Sequence, residues 1–116
     1  MVNCEYSTLN RSSTGARLNQ VKQREVYRRQ ARVLKALASE TRLMLVDRLG
    51  QGECTVGELV ELIGSDQSTV SKHLAILRSH GIVEDRREGS FVYYRLVTRC
   101  VLDFFSCASK VLEVKL

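Results

Sequence analysis

The chain has 116 residues, 44% hydrophobic and 27% charged, with 18 Lys and Arg against 13 Asp and Glu for a formal charge of +5. That composition excludes a largely disordered chain, and no apolar run approaches the roughly 18 residues a membrane-spanning helix needs. The length fits one domain with a single core, and the basic balance suits a polyanionic partner.

Residues 1–22, rich in Ser, Thr and Asn with little periodicity, read as a flexible N-terminal arm; residues 23–116 read as one folded domain. The start lacks the basic-then-apolar layout of a secretory signal, so a cytoplasmic protein with no membrane association is expected. From Met1 to Lys35 eight Lys and Arg stand against two acids, either a solvated helix face or a surface turned to phosphate or to a dimer edge. Val26, Tyr27, Ala31, Val33, Leu34 and Leu37 predict a first helix from about Gln23 to Ala38. Ser39 caps a second, striped by Leu45, Val46 and Leu49 and ending at Gly50-Gln51-Gly52.

Thr55 and Glu58 then make a Ser/Thr-x-x-Glu capping box, and Val56, Leu59, Val60 and Ile63 give the third helix its apolar stripe. Gly64-Ser65-Asp66 breaks the period, with Asp66 or Ser65 able to cap the next helix. In that fourth helix Val70, Leu74 and Leu77 fall at i, i+4 and i+7, the spacing of one buried face. Gln67, Ser68, Thr69, Ser71, Lys72 and His73 lie on or beside the other face. Two helices joined by a three-residue, Gly-containing turn form a helix-turn-helix, whose second helix enters the major groove of duplex DNA. DNA binding is the implied function.

Gly81 stands at the αL position that ends a helix. Two β-rich runs, Ile82 to Arg86 and Phe91 to Val97, flank Glu88-Gly89-Ser90, a hairpin signal. With Arg86, Arg87 and Arg95 that hairpin reads as a basic wing able to straddle phosphate backbone. Thr98 opens a last helix to about Lys115, with Val101, Leu102, Phe105, Ala108, Val111 and Leu112 on a wide apolar face. The expected fold is mainly α with a small β-hairpin: a winged helix-turn-helix that forms a homodimer through its first and last helices.

The residues Ala36-Leu37-Ala38-Ser39-Glu40-Thr41-Arg42, Gly57-Glu58-Leu59, Gln67-Ser68-Thr69-Val70-Ser71-Lys72-His73-Leu74, Leu77-Arg78, Gly81-Ile82-Val83 and Tyr93-Tyr94-Arg95-Leu96 resemble the ArsR/SmtB family of winged-helix repressors. The resemblance runs from about Glu25 to Leu112. It implies five helices, a two-stranded wing, a homodimer, and an imperfect inverted-repeat operator in double-stranded DNA. It also implies release from DNA when a metal, metalloid or other thiol-reactive signal binds. By the motif match Gln67, Ser68, Ser71, Lys72 and His73 face the groove, and Arg86 and Arg87 contact phosphate, which adds affinity with little sequence information. For Ser68 and Thr69 the alternative is helix-start chemistry.

The resemblance also frames the four cysteines, Cys4, Cys54, Cys100 and Cys107. A disulfide framework does not suit a reducing compartment. The family's metal box would place cysteines where this chain has Thr55 and Gly57, with Cys54 displaced by one, and the last helix has Asp103 and Glu113 but no His. Both departures count against zinc, which takes four Cys, His or carboxylate ligands. What remains is thiolate-only: Cys100 with Cys107, or Cys4 with Cys54 across a dimer, resembling arsenic-responsive members in which As(III) or Sb(III) is the effector. Seven residues of intact helix span about 10.5 Å, too far for two thiols to grip one atom. Cys100 then lies in an unwound approach to the helix, or Cys107 finds its partner elsewhere, including the other subunit; otherwise Cys107 is a small core residue. A persulfide- or redox-responsive repressor using Cys54 with Cys100 or Cys107, a Zn- or Cd-responsive one, and a winged-helix DNA binder without an effector are the alternatives. No Cys-His pairing, Gly-rich phosphate loop or carboxylate pair points to an enzyme.

Overall fold

The computed structural model describes residues 16–115. In chain order these form α1 (Ala16–Leu37), α2 (Glu40–Leu49), β1 (Cys54–Thr55), α3 (Val56–Ile63), α4 (Gln67–Ser79), β2 (Val83–Glu88), β3 (Phe91–Leu96), a 3-10 turn (Arg99–Leu102) and α5 (Asp103–Lys115). The arrangement is a winged helix-turn-helix, mostly helical with a small antiparallel sheet.

α1 begins at Ala16, ahead of the expected start near Gln23. The stretch 16–22, ARLNQVK, lacks a clear apolar stripe but is made largely of strong helix formers, which suits its helical conformation from Ala16. Within α1 the Glu25 carboxylate takes Arg28 at 2.7 Å and Arg29 at 3.3 Å, so part of the basic excess is a solvated, internally paired face.

The core belongs to residues 33–116. Leu45, Val46, Leu59, Val70, Leu74 and Leu77 are fully buried, and Leu49, Ile82, Val83 and Cys54 are nearly so. These are the stripe residues of α2, α3 and α4 together with the chain entering the sheet, which is why the helix-turn-helix holds its shape. Its termini are closed locally. Ser39 Oγ accepts from the Arg42 N–H at 3.4 Å, and Thr55 Oγ1 accepts from the Glu58 N–H at 3.2 Å. α4 ends in a Schellman motif: Gly81 N–H donates to the Arg78 carbonyl and Ile82 N–H to that of Leu77, both at 3.0 Å, with Gly81 at φ 72°.

The sheet has three strands in the order β1-β3-β2, where the sequence predicts a two-stranded hairpin. β1 is two residues long, Cys54 pairing with Tyr94 and Thr55 with Tyr93, too short for any alternating pattern to show. The hairpin is shifted from its expected limits, running from Val83↔Leu96 to Glu88↔Phe91. Ile82 is outside β2 because its N–H closes the Schellman motif, although its carbonyl accepts from Val97 at 2.9 Å. A two-residue loop, Gly89-Ser90, joins the strands with Gly89 at φ 62°, the first central position of a type II′ turn.

The last helix also departs from expectation. Thr98 does not cap it; the Thr98 hydroxyl donates instead to the Gly81 carbonyl at 3.0 Å. Beyond Thr98 comes the 3-10 turn, which buries Val101, packs Leu102 beside Gly50 at the end of α2, and has Arg99 Nη2 donating to the Gly50 carbonyl at 3.1 Å. α5 starts only at Asp103. No helix among the described residues is long and apolar enough to cross a membrane.

Candidate nucleic-acid interface

The turn between α3 and α4 fixes where α4 begins. Gly64, at φ 76°, closes α3 with its N–H on the Val60 carbonyl at 2.9 Å. Asp66 then caps α4: one carboxylate oxygen accepts from the Thr69 N–H at 3.3 Å and the other from the Thr69 hydroxyl at 2.6 Å. These bonds favour the charged form, so the Asp66 carboxyl is held below its ordinary value chiefly by the Thr69 hydroxyl. Thr69 therefore serves the helix start, whereas Ser68 takes no part in the cap.

Buried Val70, Leu74 and Leu77 turn the opposite side of α4 to solvent. Gln67, Ser68, Ser71 and Lys72 are all exposed there, and none makes a side-chain hydrogen bond or ion pair among the described residues. An amide, two hydroxyls and an ammonium group thus project from the first two turns with their hydrogen-bonding capacity unused. A free Gln amide can pair with adenine in two places, hydroxyls bond base edges or phosphate, and an ammonium meets phosphate.

His73 is placed differently from the rest of the set. It is half-buried, and its Nδ1 lies 3.1 Å from Arg42 Nη1 on α2. An arginine offers donors only, so Nδ1 is the acceptor and the neutral ring carries its proton on Nε2. Arg42 itself is a residue that sequence reasoning noted only as part of a motif.

The wing separates its two arginines. Strand alternation puts Arg86 on the outer face with Tyr93, and Arg87 on the inner face beside Val92. The Arg86 guanidinium pairs with Glu88 and, at 3.2 Å, with Glu53, and lies 4.8 Å from the Tyr93 ring centre. Glu88 first and Glu53 second raise its already high pKa, and both pairs are solvent-exposed, so Arg86 has carboxylate partners within the molecule that a phosphate would have to displace. Arg95 likewise pairs with Glu84. Arg87 is exposed and takes part in none of the ion pairs among the described residues. Arg78 of α4 pairs with Asp85 of β2 at 3.1 Å, tying the wing to the helix beside it.

The cysteines are dispersed. Cys54 is buried, its thiol directed at the Gly52 carbonyl at 3.7 Å. Burial pushes its pKa up, with Arg48 opposing and Glu58 adding to the rise. Cys100 sits in the 3-10 turn and Cys107 on α5, both exposed. Cys100 therefore lies in a hydrogen-bonded 3-10 turn continuous with α5 and not in an unwound approach, and its larger rise per residue brings it no nearer Cys107; Cys107 is not a core residue of the single chain. Cys4 lies outside the described residues. Among the described residues no three of His, Cys, Asp or Glu converge as a metal site.

Known proteins share this organisation. The family model described as "Bacterial regulatory protein, arsR family" matches residues 39–85, from the cap of α2 into the wing. A biofilm growth-associated repressor of Xylella fastidiosa is 50% identical over a match covering 57% of this chain and 58% of its own. An arsenic resistance transcriptional regulator of Pseudomonas putida is 46% identical, the match covering 55% and 56%. The chain thus spans a little over half the length of these two relatives. Among solved structures, the homodimeric winged helix-turn-helix DNA-binding domain (fragment 1–100) of a possible ArsR-family regulator from Mycobacterium bovis superposes with a TM-score of 0.68. It is 37% identical, covering 79% of this chain and 85% of that one. With 37% identity over 85% of that solved domain, on the fold built above, the chain belongs to the arsR family of bacterial regulatory proteins.

Proposed function

We propose that this protein is a DNA-binding transcriptional repressor that acts as a homodimer on an inverted repeat in double-stranded DNA, in the cytoplasm, and leaves it when an effector binds its thiols. The observation that carries the reading is the outer face of α4, where Gln67, Ser68, Ser71 and Lys72 stand exposed and unpaired above a fully buried stripe. The N-terminal half of such a helix is what a helix-turn-helix presents to base edges. Arg87 adds a phosphate contact from the wing. The dimer reading rests on an apolar groove formed by Leu34 and Leu37 near the end of α1, Leu43 of α2, and Phe104, Ala108 and Val111 of α5. Half-exposed Phe104 and Val111 at that surface are the kind a second copy covers.

The effector is proposed to be trivalent arsenic or antimony, held by Cys100 and Cys107 drawn from different copies of the dimer, since about 10 Å of continuous helix separates the two within one chain, with Cys4 as a further thiolate. Both thiols are open to solvent, and soft ions prefer thiolates. Buried Cys54, its thiol kept protonated, is the weakest of the four candidates. The relatives carry different names, a biofilm growth-associated repressor and an arsenic resistance regulator among them, so a test must separate effectors. Arsenite is expected to release the unmodified protein from a duplex selected from a random pool, with mass spectrometry showing added arsenic and thiol hydrogens displaced. Cys100→Ser is expected to keep DNA binding and lose the release. Release by arsenite that survives Cys100→Ser rejects this site, and added sulfur after persulfide treatment, with no response to arsenite, supports the persulfide-responsive reading instead.

A further inference from the structure

We propose that Arg42 is a positioning residue for DNA recognition, acting through His73 to fix α4 against the end of α1. The proposal rests on the reading of α4 as the helix that enters DNA. Arg42 stands in the first turn of α2, and its guanidinium reaches three ways. Nε donates to the Ala36 carbonyl, Nη2 to the Lys35 carbonyl at 3.4 Å, and Nη1 to His73 Nδ1 at 3.1 Å. Lys35 and Ala36 belong to the last turn of α1, where helical partners run out; the Lys35 carbonyl also accepts from the Ala38 N–H at 3.2 Å. A planar fork with five donors is suited to hold two carbonyls and an imidazole at once, which a lysine ammonium on a flexible stem does not do in that geometry.

His73 occupies the boundary between the two faces of α4. It comes after Lys72 on the exposed side and precedes Leu74 in the buried stripe. Apolar packing of Val70, Leu74 and Leu77 holds α4 onto the core but tolerates small rotations, since it is non-directional. The Arg42–His73 bond is directional and sets the rotation. Base-edge hydrogen bonds weaken steeply as donor and acceptor leave their preferred distance and angle, whereas phosphate attraction is far more tolerant. Loosening the tie is therefore expected to weaken selective binding and spare nonselective binding.

The test uses the full chain, a duplex selected from a random pool by the unmodified protein, and a scrambled duplex of equal length. Arg42→Lys and His73→Leu are each expected to weaken binding to the selected duplex by about tenfold while the scrambled duplex changes by less than about twofold. The double variant is expected to be no weaker than Arg42→Lys alone, because the Arg42–His73 bond that His73→Leu removes is already broken in Arg42→Lys. His73→Asn, whose amide oxygen branches from Cγ as Nδ1 does, is expected to recover most of the loss. In the protein alone, imidazole nitrogen spectra are expected to show His73 protonated on Nε2, shifting to a tautomer mixture in Arg42→Lys. Losses that add in the double variant, or His73→Asn binding as weakly as His73→Leu, overturn the positioning role. If the unmodified chain enriches no duplex, the nucleic-acid reading fails and the proposal with it, an outcome distinct from both.

Discussion

The two wing arginines show how much one residue's neighbours decide. Adjacent in sequence and equal in charge, Arg86 and Arg87 differ because strand alternation sends one to Glu88, Glu53 and Tyr93 and leaves the other without an ion pair among the described residues. Sequence alone assigns both to phosphate, since a cross-strand or loop carboxylate such as Glu53 is invisible without the fold. Arg87→Ala is expected to weaken DNA binding uniformly across sequences and lower the salt slope by about 1, whereas Arg86→Ala leaves that slope nearly unchanged. Fluorescence anisotropy across a salt series measures both. Equal slopes for the two variants contradict the assignment. The same dependence on surroundings separates the cysteines, which composition treats alike: Cys54 pairs with Tyr94 in the core, while Cys100 and Cys107 face solvent.

At the scale of elements, legibility tracks the length of the repeating pattern. α2, α3 and α4 carry clean stripes and caps, so Leu45, Leu59, Val70, Leu74 and Leu77 are readable as core, and the structure buries all of them. β1 is two residues and carries no period, so no sequence pattern marks the third strand. The 3-10 turn is hidden for another reason. Thr98 looks like a cap, but its hydroxyl is taken by the Gly81 carbonyl, a contact 17 residues away in sequence. Gly81 is legible as a helix stop, and the structure gives the reason in its φ of 72° and the paired bonds to Arg78 and Leu77. Space is not the constraint there, since nothing lies within 4 Å of an added Cβ. Gly81→Ala is expected to cost about 1–2 kcal/mol from backbone strain alone. Urea denaturation measures it, and an unchanged midpoint contradicts the account.

For the whole molecule, the functional face is more legible than the device that aims it. Small polar residues opposite an apolar stripe announce a surface free for DNA, and the structure leaves Gln67, Ser68, Ser71 and Lys72 open. The Arg42–His73 tie joins residues 31 apart through side chains, and no periodicity encodes such a pair. The apolar groove between α5 and the end of α1 points to assembly. Phe104→Glu, at a half-exposed position, is expected to leave the fold intact, convert the dimer to monomer in sedimentation, and weaken DNA binding with it. A monomer that binds as tightly as the unmodified protein contradicts the dimer reading.

The central claim, that α4 and the wing address duplex DNA, is tested most directly by equilibrium binding of the unmodified chain to its selected duplex as salt is raised. Neutralisation of about six phosphates by the dimer predicts a slope near −5 for the logarithm of affinity against the logarithm of salt concentration, on an enriched sequence with inverted-repeat symmetry. A slope of zero, with no sequence enriched, contradicts it.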